Sequence, residues 1–219
     1  MKTALIISGQ PHSWQKYAAG IIDRIIIPNN ADVFIHAWSG FASEKELYQA
    51  FKPKDMLIET QKDFVNNDID FAISLKAGYA GGAENPKVAQ HYTFSTRSMW
   101  YSIKKAFDLI SPEDQYDCVI KARFDLGIGA QISCKDYDLS ALWAEDIHRP
   151  ELVNNWMNFS NYAVMEKYSL YNKIQNLYDS EGIWCNEYWI KKVMDQHNIS
   201  VKYGYWGLTI ENTDIRKFS

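Results

Sequence analysis

Apolar and polar positions along the chain fall into short alternating blocks. Thr3–Ser8 is an almost unbroken apolar run, the pattern of a strand buried on both faces. Ser8-Gly9-Gln10-Pro11 closes it as a turn. From Trp14 to Ile25 the period changes. Tyr17, Ile21 and Ile25 recur every four residues, which predicts a helix broken by Pro28-Asn29-Asn30. Asp32–Ala37 predicts a second buried strand. Ser43, with Glu46 three residues on, forms a capping box that opens another helix. Asp55–Glu59 predicts a third strand.

Strand, helix, strand, helix, strand with short connections predicts a parallel sheet with right-handed crossovers. The stretch 60–93 is irregular and contains Ala77-Gly78-Tyr79-Ala80-Gly81-Gly82; it reads either as a lid or as a loop with some helix of its own. Ser95–Ile110 is a clear helix, with Met99, Ile103, Ala106 or Phe107, and Ile110 on one face. "YDCVIKARFDLG" (116–127) follows as a strand. Beyond Gly127 the pattern weakens. It predicts short strands at Asp146–Arg149 and Asn158–Ala163, helices at Val164–Tyr178 and Cys185–Asn198, and a last strand at Ser200–Tyr205. The fold class is therefore α/β: a Rossmann-like, mostly parallel central sheet flanked by helices in a single domain. Residues 1–127 read as a half of the type that binds nucleotides in such sheets, and 128–219 as a more variable half.

Composition narrows the classes of function. The net charge is −4 and the pI about 5.7, with no basic stripe of the kind a duplex requires. No nucleic-acid partner is expected. The longest apolar runs, such as Ala4-Leu5-Ile6-Ile7, are far short of the roughly 20 residues of a membrane span. The run after Lys2 stops at Ser8-Gly9, so it reads as a first strand and not a signal peptide. Cys118, Cys134 and Cys185 are scattered and odd in number; they read as reduced thiols of a cytoplasmic protein. The P-loop spacing and Gly-x-Ser-x-Gly are both absent.

In open parallel sheets, ligands bind beyond the carboxyl ends of the strands. The first strand ends at Ser8, Gly9 and Gln10, the second at His36, Ala37 and Trp38, the third at Glu59. The fourth ends at Arg123-Phe124-Asp125, a cation and an anion that a period of two turns to one side. That inventory suits a nucleoside diphosphate with a divalent metal held by the carboxylate. The alternative is an Arg–Asp pair that satisfies itself. Arg97, in the first turn of the Ser95 helix, faces either the diphosphate or solvent. Trp38, Trp156 and Trp184 are candidates to stack on a base or sugar, though a tryptophan in such a position more often packs.

Taken in order, "ALIISGQPHSW", "DVFIHAW", "SMWYSIKKAFDLI" and "YDCVIKARFDLGI" resemble a family of glycosyltransferases found in viral and bacterial genomes, of the broad GT-A class. The resemblance covers Ala4 to about Tyr203. It implies a GT-A-like fold, a nucleotide-sugar donor such as a UDP- or GDP-sugar, and a glycan or glycoconjugate acceptor. It also implies a D-x-D motif that binds diphosphate through Mn²⁺ or Mg²⁺. That motif falls on Arg123-Phe124-Asp125: the first acid is replaced by Arg123, and Asp125 keeps the metal-ligand position. The class carries an acceptor base near the start of a late helix, which places Glu187 of "WCNEYW" in that role for an inverting reaction. Relatives carry an acid about ten residues before "MEKY"; here it is Asn155, which leaves acceptor binding for Asn155 and Trp156. The metal-binding His often found near the C-terminus is missing after Val201. Two rival functions share the same crevice. A sugar nucleotidyltransferase requires basic residues in the first loop, which has none before Lys16. A non-catalytic nucleotide- or glycan-binding module requires no base.

Overall fold

The computed structural model describes residues 1–64, 86–148, 152–169 and 186–210, with 86–93 and 186 described by backbone alone. The predicted α/β class is what it shows. Among the described residues, seven strands form one sheet in the order β3-β2-β1-β4-β7-β6-β8. These are β1 (Thr3–Gly9), β2 (Asp32–Trp38), β3 (Asp55–Glu59), β4 (Cys118–Ala122), β6 (Leu142–Glu145), β7 (Met157–Ser160) and β8 (Val201–Gly204). β1 to β4 pair in parallel; β7 is antiparallel to both β4 and β6, and β6 and β8 are parallel. Six strands thus run one way and β7 runs against them. A small second sheet pairs β5 (Leu126–Gly127) with β9 (Thr209–Ile210).

Alternation along the central strands sends side chains to two cores. Leu5, Ile7, Ile35, Ile120 and Ala122 pack on one face under α1 (Trp14–Ile21) and α2 (Glu44–Phe51). Ala4, Ile6, Phe34 and Val119 pack on the other. There they meet α3 (Pro86–Asp108), α4 (Tyr162–Tyr168) and α5 (Asn186–Gln196). The capping box forms as expected: Glu46 N–H donates to Ser43 Oγ (3.2 Å) and Ser43 N–H to Glu46 Oε2 (2.9 Å).

Several boundaries differ from the sequence reading. The first helix continues past Ile25, through a π-helical turn at Ile22–Ile26 and a last turn at Ile27–Asn29, and ends at Asn30 with φ +44. Pro28 is tolerated in the last turn because the Arg24 carbonyl, four residues back, accepts the Ile132 N–H at 2.9 Å in place of a residue-28 N–H. α3 begins at Pro86, so the latter part of 60–93 is helical. The strand expected at Asp146–Arg149 instead lies at Leu142–Glu145. Asp146 Oδ1 accepts the His148 N–H at 2.7 Å, and His148 adopts φ +56, so the chain turns there. β7 stops at Ser160 because Asn161 caps α4, accepting from Val164 N at 2.9 Å. Residues 170–178 of the predicted Val164–Tyr178 helix lie outside the described residues, as do Trp184, Cys185 and residues 65–85 of the stretch 60–93. Cys118 and Cys134 are buried free thiols.

Candidate functional site at the carboxyl edge of the sheet

β1 ends at Gly9 with φ +113, a backbone angle that favours glycine, and no atom of the described residues lies within 4 Å of where a Cβ would stand. Ser8 beside it is nearly buried. Gln10 is held by its neighbours: its Nε2 donates to Gln61 Oε1 (3.4 Å), and its Oε1 meets His12 Nε2 (3.0 Å). Gln61 in turn donates to Ser98 Oγ of α3 at 3.2 Å.

His36 lies inside the fold and not on the site's surface. Its side chain is fully buried, with Nδ1 at 2.6 Å from Ser102 Oγ and Nε2 at 3.0 Å from Glu59 Oε2. Burial lowers its pKa, against the opposing pull of Glu59. A neutral ring that donates Nε2–H to the carboxylate leaves Nδ1 to accept the Ser102 hydroxyl proton. The geometry resembles a hydrolase triad, but Ser102 is fully buried in α3, so the contact ties β2, β3 and α3 together. Trp38 is also packed, stacked on Tyr101 with centroids 5.6 Å apart. Arg97 donates from Nη1 to Phe64 O at 3.1 Å and so holds the segment after β3.

β4 proper ends at Ala122, and Arg123 to Asp125 form the turn beyond it. Phe124 goes to the α1/α2 core against Phe51. Arg123 and Asp125 meet each other: Nε donates to Oδ1 at 2.7 Å and Nη2 to Oδ2 at 2.8 Å. This is a two-pronged fork with a buried anion and an outer cation, at 8% and 32% side-chain exposure respectively.

Close enough to feel both charges of the fork lies Lys121, a residue that the sequence reading missed. Lys121 is 1% exposed and pairs across the sheet with Asn158. Its Nζ donates to the Asn155 carbonyl. Complete burial and the nearby Arg123 charge push its pKa down to about 7, against the pull of Asp125 and Glu187. The signal was present: Lys121 is a lone cation in the run Cys-Val-Ile-Lys-Ala, all of which is buried. Tyr168 donates to Asn158 Oδ1 (2.8 Å) and Asn158 donates to Asn154 O (2.8 Å), continuing the polar seam.

Glu187 stands in the first turn of α5, where the helix dipole favours an anion. Its charge is felt by both Lys121 and Tyr168, and its backbone carbonyl accepts Val153 N–H at 3.0 Å. The segment 152–156 is thus pinned on one side by Glu187 and on the other by Lys121. Asn155 is buried, and Trp156 is half-buried against the α1/α2 core. The structure therefore brings Lys121, Arg123, Asp125, Asn155 and Glu187 to one region. Ser8, Gly9 and Gln10 lie at the end of the adjacent strand. His36 and Arg97 serve contacts of their own.

The donor set does not fit a divalent cation. Both Asp125 oxygens are engaged by the Arg123 guanidinium, and the Lys121 amine is buried nearby. Among the described residues, no group of three or more His, Cys, Asp and Glu side chains could hold a metal ion.

No protein-family model matches the sequence, and no curated protein matches it. Similar solved structures exist. Mouse xyloside xylosyltransferase 1 in its apo form is 10% identical with a TM-score of 0.46, covering 97% of this chain and 98% of that one. The apo glycosyltransferase GlyE of Streptococcus pneumoniae TIGR4 is 11% identical with a TM-score of 0.49, covering 92% of this chain but 44% of that one. A glycosyltransferase involved in glycosylation of the major capsid of PBCV-1 is 9% identical with a TM-score of 0.43, covering 93% and 82%. Among the described residues, no helix is long and apolar enough to cross a membrane.

Proposed function

We propose that the chain is a glycosyltransferase that moves a sugar from a UDP- or GDP-sugar to the hydroxyl of a glycan or glycoconjugate. The observation that carries this reading is the Arg123–Asp125 fork at the end of the central strand, with Glu187 set in a helix first turn on the same side. Residues 1–127 bind the donor: Ser8, Gly9 and Gln10 lie along the nucleoside, and Arg123 faces the diphosphate. His36 and Arg97 support this half from within, through Glu59 and Phe64. The half from 128 onward binds the acceptor at Asn155 and Trp156.

In the reaction, the anomeric C–O bond to the diphosphate breaks and its electron pair leaves with the phosphate oxygen. Arg123 stabilises that developing charge. The acceptor oxygen forms the new bond on the opposite face, and its proton passes to a Glu187 carboxylate oxygen.

Release of UDP or GDP from the corresponding sugar nucleotides, with and without glycan acceptors, tests this. Glu187→Gln should lower turnover by about 10²–10⁴-fold. The same variant should leave nucleotide affinity within about two-fold, because the base acts only on the acceptor. Nucleotide binding with no turnover in the intact protein would favour the binding-module function instead.

A further inference from the structure

We infer that the diphosphate site beyond β4 works without a divalent cation: Asp125 sets the Arg123 guanidinium in place, and the guanidinium takes the anion where a metal would. The inference rests on the sugar-transfer reading only for the identity of the anion.

A carboxylate that ligates a metal must offer it lone pairs. Asp125 offers its two oxygens to Arg123 at 2.7 and 2.8 Å, the geometry of the strongest protein ion pairs. A cation taking the lone pairs that face Arg123 must break both bonds, and one taking the remaining lone pairs would enter on the buried side of the carboxylate, close to the guanidinium charge. The nearby Lys121 side chain adds to that repulsion whenever it carries its proton. The orientation also runs the wrong way for a metal site. The carboxylate faces inward at 8% exposure and the guanidinium faces outward at 32%.

The same geometry favours an anion. A guanidinium has five N–H donors, and Asp125 uses two of them. The remaining donors have no hydrogen-bond partner among the described residues. Because the fork already fixes the plane of the group, little side-chain freedom is left to lose when two phosphate oxygens meet it. The carboxylate in the last position of the motif is then a positioning residue, and the arginine in the first position is the ligand-binding one.

Calorimetric titration of the intact protein with inorganic pyrophosphate and with UDP, each in EDTA and in Mn²⁺, tests this. Affinity should agree within about two-fold between the two conditions. Arg123→Met should weaken binding at least about ten-fold in both. Arg123→Lys, which keeps a charge but not the fork, should also weaken binding, and unchanged thermal melting separates this from loss of fold. Asp125→Asn should weaken binding to the same degree with and without Mn²⁺, because its effect passes through Arg123. A ten-fold or larger tightening by Mn²⁺ that disappears in Asp125→Asn would overturn the inference. So would failure of both probes to bind in EDTA. Pyrophosphate binding in EDTA with no turnover of any sugar nucleotide would leave the inference standing and defeat the sugar-transfer reading.

Discussion

Replacing Lys121 by Met should change how stability depends on pH. Lys121 is enclosed between β4, β7 and the segment 152–156, and its pKa falls from 10.5 to about 7. In the unfolded chain it keeps an ordinary lysine value. Between those two values the unfolded state binds the proton and the folded state does not, so stability rises with pH. The full contribution is present above the unfolded pKa and is lost as pH falls toward 7. Burial and Arg123 together therefore make a gap worth on the order of 5 kcal/mol. Urea unfolding of the intact protein and Lys121→Met, measured from pH 7 to 9.5, reads it out. Subtracting the variant's curve cancels the titration of tyrosines and other lysines. The difference should grow by about 1 kcal/mol per pH unit in favour of the intact protein as pH rises. The variant loses the bond to Asn155 O, which shifts the whole difference by about 1 kcal/mol without changing its slope. A difference that stays constant across that range would show that Lys121 folds with its proton on, and the reasoning would fail.

Three further outcomes follow from buried contacts. His36 titrates below its ordinary value because it is buried, so its stabilising contribution is present above pH 6.5 and is lost as pH falls below it. Thermal melting of the intact protein should therefore drop more steeply between pH 6.5 and 5 than that of His36→Gln. Glu145 accepts the N–H groups of Trp206 (2.9 Å) and Leu208 (3.2 Å); Glu145→Gln sets an amide donor against one of them and should cost about 1–3 kcal/mol in urea unfolding. A Cβ at Gly129 would stand 3.0 Å from Trp206 O and 3.2 Å from Gly207 Cα, both backbone, so Gly129→Ala should cost about 1–3 kcal/mol by the same assay.

The first half of the fold was legible because local signals agree there. β1, β2 and β3 are short runs with clear ends, and Ser43 with Glu46 announces α2 before any tertiary contact is known. The second half was harder because its strands are four residues long and their order is non-local: β7 lies between β4 and β6. Glu145 hides there, a charged residue that ends a strand by gathering backbone donors from sixty residues away. At the site, the proximity of Arg123 and Asp125 could be read from their spacing. That the pair would close on itself could not, since i and i+2 side chains on one face can equally converge on a ligand. Lys121 escaped because a lysine in a strand normally marks a solvent face, and only the assembled sheet shows β4 covered on both sides. His36 at a strand end reads either as a contact to base or ribose or as a residue hydrogen-bonded in place; the fold makes it the second, with partners Ser102 and Glu59 from distant segments.

The measurement that bears most directly on the central claim is release of nucleoside diphosphate from UDP- and GDP-sugars by the intact protein in EDTA. Arg123→Met and Glu187→Gln are measured alongside it. Release from one of the two donors is expected without added metal, lost in Arg123→Met and reduced by about 10²-fold or more in Glu187→Gln. Release that requires Mn²⁺, or that persists unchanged in both variants, would contradict it.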